Sequence, residues 1–312
     1  MGERTQRIVM ALGGSALSAS GDRALADQLV HSLHPLVRSG VELVVTHNGF
    51  VTSGAQGLGM NAALTTTAEL GSEGELGDRL ATSLRDELNE ARLVAALVTH
   101  VRVDGGSSPH RSRRLAGPLL DEAEASVLRK QGLPLELDAN GPGYRRLVPQ
   151  VEPLEVLDVG ILKRLVESGV VVVAGGGGGV PVTRDGRGWR GVEAVVDQDL
   201  TAALLADSID ADQLVIVTDV SNVFEAFGTP HEEPIGLISV DELHNLLAEG
   251  HFVPGTMAPK VEACVRFVSR PGRRAMICDA PSLDQTMAGL AGTRVIWTSA
   301  ANREPAIEHH VA

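Results

Sequence analysis

Residues 156–182 read VLDVGILKRLVESGVVVVAGGGGGVPV, in which a helical pattern leads into a β-branched run and then into five glycines. The apolar spacing predicts a helix over 156–168 that ends before Gly169, and the valines predict a buried strand over 170–174. The next segment repeats this order, because residues 200–208 predict a helix and residues 213–218 a strand. Such alternation is typical of an α/β fold with a mainly parallel sheet.

The alternation extends to both ends of the chain. Strands are predicted over 7–12, 42–46, 93–103, 274–277 and 293–297, and helices over 22–39, 76–88, 121–130, 240–248 and 260–268. Residues 104–114 are rich in Gly, Ser, Pro and Arg, which predicts an exposed loop. The irregular, proline-containing stretch over 120–153 predicts a small subdomain that protrudes from the sheet.

The composition excludes several classes of protein. The 312 residues are 43% hydrophobic and 21% charged, as expected of a soluble protein with a large core. A net charge of −13 disfavours nucleic acid as a partner, because binding to phosphates requires a basic surface. The apolar runs are too short to span a membrane, and the N-terminus lacks the apolar segment of a signal peptide. We therefore predict a cytoplasmic enzyme.

Two glycine clusters follow predicted strands. The N–H groups of Gly13 and Gly14 offer a place for a phosphate, although a tight turn is the alternative. Their surroundings match neither G-x-x-x-x-G-K-[ST] nor G-x-G-x-x-G. Residues 175–179 are the stronger signal, because five glycines lose much conformational freedom on folding, which favours close approach to a ligand over a flexible loop. Ligands of parallel sheets bind beyond the carboxyl ends of the strands, where both clusters fall.

Four side chains near the same edge are candidates for chemistry. Lys260, one of three lysines, lies near the start of a predicted helix, where a cation is unfavourable unless an anion lies nearby. A solvated surface lysine is the alternative. Asp197 and Asp199 precede a helix and are predicted either to cap it, or to orient a lysine or approach Mg²⁺. His47 follows the second strand and is either structural or in contact with a substrate.

Eight ordered blocks carry a resemblance to a known family. They are VMALGGSAL (9–17), VVTHNG (44–49), AGPLLDEAEA (116–125), YRRLVP (144–149), AGGGGGVPV (174–182), GVEAVVDQDLTAALLADSIDADQLVIVTDVSNVF (191–224), FGTP (227–230) and GHFVPGTMAPKVEACVRFV (250–268). Together they resemble the carbamate kinases of the amino acid kinase superfamily. The resemblance implies one domain over 1–312, a three-layer αβα sandwich with a small protruding subdomain, and a homodimer. Residues 1–155 would form the acceptor-binding half, with a lid-like segment near 104–150, and residues 156–312 the nucleotide-binding half.

The resemblance also implies an activity and a set of site residues. Family members transfer a phosphoryl group between ATP and carbamate, so ATP/ADP, Mg²⁺ and a small acid are the implied ligands. The positions that match the family's catalytic residues are Lys260, Asp199, Gly13 and Gly14. Those that match its substrate-binding residues are Ser15, His47, Asn48, Gly49, Arg114, Gly176 and Gly177. Those that match its nucleotide pocket are Gly175, Thr218, Asp219, Val220, Phe224 and Met257.

The chain departs from the family pattern at the acceptor end. Ser15 stands where the family has asparagine, and residues 47–52 read HNGFVT where the family has H-G-N-G-P-Q. Gln198 and Arg114 each replace a family lysine; Arg114 keeps the positive charge, whereas Gln198 keeps only hydrogen bonding. Three functions therefore stay open. They are a kinase of carbamate or a related small carboxylate, a non-kinase enzyme acting on a small phosphorylated or acidic substrate, and a catalytically silent nucleotide sensor.

Overall fold

The central element of the fold is an eight-stranded sheet. The computed structural model describes residues 5–14, 23–48, 65–89, 91–104, 113–138 and 141–298. In spatial order the strands of the sheet are β16 (Leu237–Ser239), β18 (Thr293–Ile296), β17 (Arg274–Asp279), β13 (Gln213–Thr218), β1 (Arg7–Leu12), β2 (Glu42–His47), β9 (Val171–Val173) and β3 (Val94–Ala96). Neighbours pair in parallel except β17 and β18, which confirms the predicted mainly parallel sheet.

Helices cover both faces of this sheet. Alternate residues of β1 enter two separate cores, with Ile8, Met10 and Leu12 on one face and Val9 and Ala11 on the other. The first face packs against α1 (Arg23–Arg38), α2 (Thr65–Leu88) and α8 (Leu283–Met287). The second packs against α4 (Val159–Glu167), α5 (Gln198–Ser208), α6 (Val240–Ala248) and α7 (Met257–Phe267). The three-layer αβα sandwich is therefore confirmed.

Smaller sheets lie beside the central one. One contains β11 (Gly188–Gly191), β10 (Val180–Asp185), β4 (His100–Val103) and β8 (Pro153–Val156). A second contains β12 (Val195–Val196), β7 (Tyr144–Val151) and β5 (Arg113–Leu120), with β6 (Leu135–Leu137) paired to β7. Strands β14 (Val223–Glu225) and β15 (Glu233–Ile235) form a hairpin, and α3 (Glu122–Lys130) follows β5. The stretch over 120–153 that looked irregular in sequence thus contains strands of two sheets.

Two sequence predictions of local structure need correction. The single strand predicted over 93–103 is wrong, because β3 belongs to the central sheet and β4 to a smaller one. The chain changes sheets at residues 97–99, where Leu97 N–H donates to the Val173 carbonyl at 2.8 Å and the Thr99 carbonyl accepts from Val180. Helix α2 begins at Thr65 rather than at 76. The glycines in its first half lower helix propensity, so the sequence did not predict that half as helical.

The predicted exposed loop over 104–114 is only partly open to comparison. Residues 105–112 lie outside the described part of the chain, and Arg113 and Arg114 already belong to β5. No helix within the described ranges is both long and apolar enough to cross a membrane.

Candidate functional site

The glycines of the five-glycine loop after β9 are required by the backbone conformation and the packing of the loop itself. Gly175, Gly177, Gly178 and Gly179 have φ angles of 69°, 63°, 93° and 82°, a region that residues with a Cβ rarely adopt. A Cβ on Gly178 would lie 2.4 Å from the Val196 carbonyl oxygen. The close approach expected of this loop is therefore, at Gly178, an approach to the protein's own backbone.

Three buried threonine hydroxyls hold the loop against neighbouring elements. Thr46 Oγ1 donates to the Gly175 carbonyl at 2.8 Å, and Gly175 N–H donates to Thr99 Oγ1 at 2.9 Å. Thr201 Oγ1, on α5, donates to the Gly178 carbonyl at 3.0 Å. No sequence pattern singles out these three residues, because a lone threonine carries no local signal of a partner that is distant in sequence. Of the remaining loop glycines, Gly176 is buried and Gly177 is partly exposed.

Lys260 and Asp199 form an ion pair at the carboxyl edge of the central sheet. Lys260 Nζ lies 2.9 Å from Asp199 Oδ2, and both side chains are largely buried. The pair joins α7 to α5, so Asp199 is the anion that a lysine near a helix N-terminus requires. Lys260 is thus not a solvated surface lysine.

Gly13 places this ion pair next to the end of β1. A Cβ on Gly13 would lie 3.8 Å from Lys260 Nζ and 2.9 Å from the Val217 carbonyl oxygen. The Gly13 N–H donates to that carbonyl at 2.8 Å, so it is not the phosphate donor suggested by the sequence. A side chain at Gly13 would instead crowd the backbone at the end of β13. Gly14 is buried beside it.

Burial and charge act in opposite directions on Asp199. Desolvation raises the pKa of its carboxyl group above the usual value, and the charge of Lys260 opposes this rise. Its Oδ1 atom is buried and has no hydrogen-bond partner among the described residues. The ion pair therefore leaves one carboxylate oxygen without a described partner.

Asp197 caps the N-terminus of α5 and forms an ion pair with Arg114 of the neighbouring sheet. Its Oδ1 accepts the N–H groups of Asp199 at 3.0 Å and Leu200 at 3.2 Å. Its Oδ2 lies 3.5 Å from Arg114 Nη1 and 3.5 Å from Gln150 Nε2. The two roles proposed for the acidic pair are thus divided, since Asp197 caps the helix and Asp199 orients the lysine. Arg114 reaches the same helix N-terminus from β5.

His47 ends β2 directly beside the end of β1. It pairs in register with Leu12, and Asn48 N–H donates to the Leu12 carbonyl at 2.9 Å. The imidazole is buried, and neither ring nitrogen has a hydrogen-bond partner among the described residues. Burial lowers the pKa of His47 from 6.5 to about 4, so the ring is neutral at pH 7. Its contact with substrate stays a prediction.

The predicted nucleotide residues extend from the same edge. Thr218 ends β13, and its Oγ1 donates to Asp219 Oδ1 at 3.0 Å; Val220 follows in a bend of the chain. Phe224 lies in β14, and Met257 begins α7 and packs against the core. A Cβ on Gly13 would lie 3.7 Å from the Thr218 Cα, which places Thr218 close to the lysine. Two predicted substrate-binding residues, Ser15 and Gly49, lie outside the described part of the chain.

Comparison with known proteins gives the relationships of the chain. The amino acid kinase family matches residues 6–279. The carbamate kinase of Halobacterium salinarum is 38% identical over 304 residues, covering 92% of this chain and 97% of that protein. The carbamate kinase-like protein YqeA of Escherichia coli is 36% identical over 306 residues, covering 93% and 98%.

Solved structures show the same likeness. The carbamate kinase from Giardia lamblia bound to AMP-PNP has a TM-score of 0.81 and 28% identity, covering 94% of this chain and 99% of that one. A protein from Aeropyrum pernix has the same TM-score at 33% identity, covering 94% and 100%. The family match and these identities over nearly the full length confirm the resemblance to carbamate kinases. The chain belongs to the amino acid kinase family.

Proposed function

We propose that the chain transfers a phosphoryl group between ATP and carbamate or a related small carboxylate, in the reaction carbamoyl phosphate + ADP ⇌ carbamate + ATP. Its likeness to carbamate kinases over nearly the whole chain makes it an ATP-dependent kinase. The observation that carries the proposal is the Lys260–Asp199 ion pair, which lies beside Gly13 at the carboxyl edge of the sheet.

The geometry suits phosphoryl transfer because this chemistry depends on position and charge more than on a nucleophilic side chain. The Lys260 side chain is only 12% exposed, so the attraction of its ammonium group for phosphoryl oxygens is poorly screened by water. Asp199 Oδ2 accepts one hydrogen bond from the ammonium group, which carries three N–H donors, and so fixes its position. Lys260 is therefore the residue that stabilises charge on the transferring group.

We propose that Mg²⁺ accompanies the nucleotide. The described residues contain no group of three or more Asp, Glu, His or Cys side chains able to enclose a metal. Mg²⁺ usually binds nucleotide phosphates together with one or two carboxylates, and the buried Oδ1 of Asp199 fits that pattern. When bound, the ion would neutralise phosphate charge.

The test is ATP formation from ADP, Mg²⁺ and carbamoyl phosphate. The matched variants are Lys260→Ala and Lys163→Ala, because Lys163 also pairs with an aspartate, Asp210 at 3.1 Å, but on the surface of α4. We expect Lys260→Ala to lower kcat by about 10²- to 10³-fold, as for the loss of one transition-state contact. Lys163→Ala should match the wild type.

Circular dichroism and ADP affinity show whether each variant is folded. No ATP from folded wild-type protein that binds ADP would refute carbamoyl phosphate as the substrate. Equal rates for Lys260→Ala and the wild type would refute the role of the lysine. If Lys260→Arg recovers part of the rate that Lys260→Ala loses, this would support a requirement for positive charge at this position.

A further inference from the structure

A small polar cavity opens at the amino-terminal edge of the central sheet. It has a volume of about 270 Å³ and is lined by Gln6, Asp212, Gln213, Gly272 and Arg274. This volume lies just below the range of about 300–1,000 Å³ that is typical of sites for drug-sized ligands. The cavity is therefore of a size for a smaller, polar molecule.

Neighbouring strands bring the polar side chains of the cavity together on one face of the sheet. Gln213 begins β13 and lies directly opposite Arg274, the first residue of β17, in the parallel register. Because side chains alternate along a strand, these two residues share a face with Val215 and Met276, which enter one core. Gln6 precedes β1 and lies on the same face by the same alternation. The cavity thus lies where this face of the sheet meets solvent.

Strand β13 separates the cavity from the Lys260–Asp199 ion pair. Gln213 is the first residue of this six-residue strand, and Thr218, which lies close to Lys260, is the last. At about 3.3 Å per residue, the two ends of the strand are about 16 Å apart. A small molecule in the cavity is therefore too far from Lys260 to take part in phosphoryl transfer there.

The cavity contains a hydrogen-bond acceptor without a partner. Gln213 is only 6% exposed, and its Oε1 atom is buried with no hydrogen bond from any described residue. Leaving an acceptor unpaired in a protein interior lowers stability. A natural group of this kind calls for a physical explanation, and a bound molecule with N–H donors supplies one.

Two further side chains give the cavity one negative and one positive charge. Asp212 accepts the Arg7 backbone N–H through Oδ2 at 2.8 Å, and its main-chain carbonyl accepts the Arg274 N–H at 3.2 Å. Arg274 is exposed, and its guanidinium group forms no ion pair with Asp212 or with any other described residue. A guanidinium group binds a carboxylate through two parallel hydrogen bonds, and carboxylate and amide oxygens accept hydrogen bonds from an ammonium group. The lining therefore suits a ligand that carries both charges.

We propose that this cavity is a second ligand site, which binds the zwitterion of a small, polar α-amino acid. The Arg274 guanidinium group holds the carboxylate of the ligand. Asp212 and Gln213 Oε1 accept hydrogen bonds from its ammonium group, which satisfies the buried acceptor. One positive and one negative side chain balance the two charges of the ligand, so a molecule with only one of these charges leaves a charged side chain unpaired.

Thermal-shift titration of the full chain with L-serine and, separately, with L-glutamine tests the proposal. A ligand that binds the folded state raises the melting temperature as its concentration increases. N-acetyl-L-serine lacks the ammonium charge, and L-serinamide lacks the carboxylate. We expect each to need about 10- to 100-fold higher concentrations than L-serine for the same rise, as for the loss of a hydrogen bond to a charged group. No rise with either L-serine or L-glutamine overturns the proposal.

Two substitutions test whether the amino acid binds in this cavity. Arg274→Met and Gln213→Met should each weaken the binding of L-serine by about 10- to 100-fold. Arg274 is exposed, so its replacement does not disturb the core, and Gln213→Met removes an acceptor that has no described partner. Arg187→Met, at an exposed arginine between β10 and β11, is the matched control and should bind L-serine as the wild type does. Unchanged binding in either cavity variant overturns the assignment.

Lys260→Ala separates this site from the proposed phosphotransfer site. The variant should bind L-serine as the wild type does, because Lys260 lies at the other edge of the sheet. Loss of L-serine binding in Lys260→Ala, with binding retained in Arg274→Met, would place the amino acid beside Lys260 and overturn the proposal. These binding measurements do not depend on ATP formation, so failure of the second site and failure of the proposed function are distinguishable.

Discussion

Protonation of His47 makes the stability of the fold depend on pH. The imidazole ends β2 with both ring nitrogens buried and without described partners, and burial lowers its pKa from 6.5 to about 4. The unfolded chain binds the same proton with the ordinary pKa of about 6.5. Between these values the unfolded state binds more protons than the folded state, so the free energy of unfolding rises with pH.

The size of this effect follows from the two pKa values. One pKa unit corresponds to about 1.4 kcal/mol, so the shift from 6.5 to about 4 corresponds to about 3 kcal/mol. This stabilisation is fully present above pH 6.5 and is lost as the pH falls towards 4. Between pH 7 and pH 4.5 the expected loss is about 2 kcal/mol.

Urea unfolding followed by circular dichroism, from pH 4.5 to pH 7, measures the effect. In His47→Gln the free energy of unfolding should fall by about 2 kcal/mol less than in the wild type over this range. Any constant offset from the substitution itself cancels in that comparison. His231→Gln, at an exposed histidine, is the control and should follow the wild type. Parallel curves for the wild type and His47→Gln would refute the reasoning.

Three further substitutions test the elements that build the site. Gly178→Ala should destabilise the protein by about 2–4 kcal/mol and abolish ATP formation, because φ is 93° and the new Cβ would meet a backbone oxygen at 2.4 Å. Urea unfolding and the ATP assay measure both effects. Asp197→Ala removes the cap of α5 and should cost about 1–2 kcal/mol in unfolding free energy and lower kcat. Thr201→Val leaves the loop carbonyl at Gly178 without its donor, so a loss of about 1–2 kcal/mol and a lower kcat are expected in the same assays.

The controls for these substitutions separate stability from catalysis. Gly186→Ala fills open space at an ordinary backbone conformation and should leave both stability and rate unchanged. Asp121→Ala removes the cap of α3, a helix that contains none of the candidate site residues, so stability should fall by about 1 kcal/mol without loss of kcat. Thr286→Val removes a buried hydroxyl donor from α8 on the other face of the sheet. Equal kcat values for Thr201→Val and Thr286→Val would contradict a role of Thr201 in holding the five-glycine loop in place for catalysis.

The local pattern of apolar residues was sufficient to predict many of the helices and strands. The observed β1 and β13 have the bounds predicted for the first strand and for residues 213–218, and α6 has the bounds predicted over 240–248. These elements are recognisable because side chains repeat every two residues in a strand and about every 3.6 in a helix. Where that periodicity was interrupted, as by the glycines of α2 or at the change of sheet near Thr99, the predicted boundaries failed.

The position of Lys260 near a predicted helix N-terminus indicated either a nearby anion or a solvated side chain, because the electrostatics of a helix N-terminus are local. The folded chain shows that an anion is present and identifies it as Asp199, which lies 61 residues away and has its Oδ2 at 2.9 Å. The same holds for the threonines around the glycine loop and for the Gly13 N–H, which donates to Val217 rather than to a ligand. Such pairings depend on the order of strands in the sheet and on how helices pack across it, and residue spacing along the chain does not contain that information.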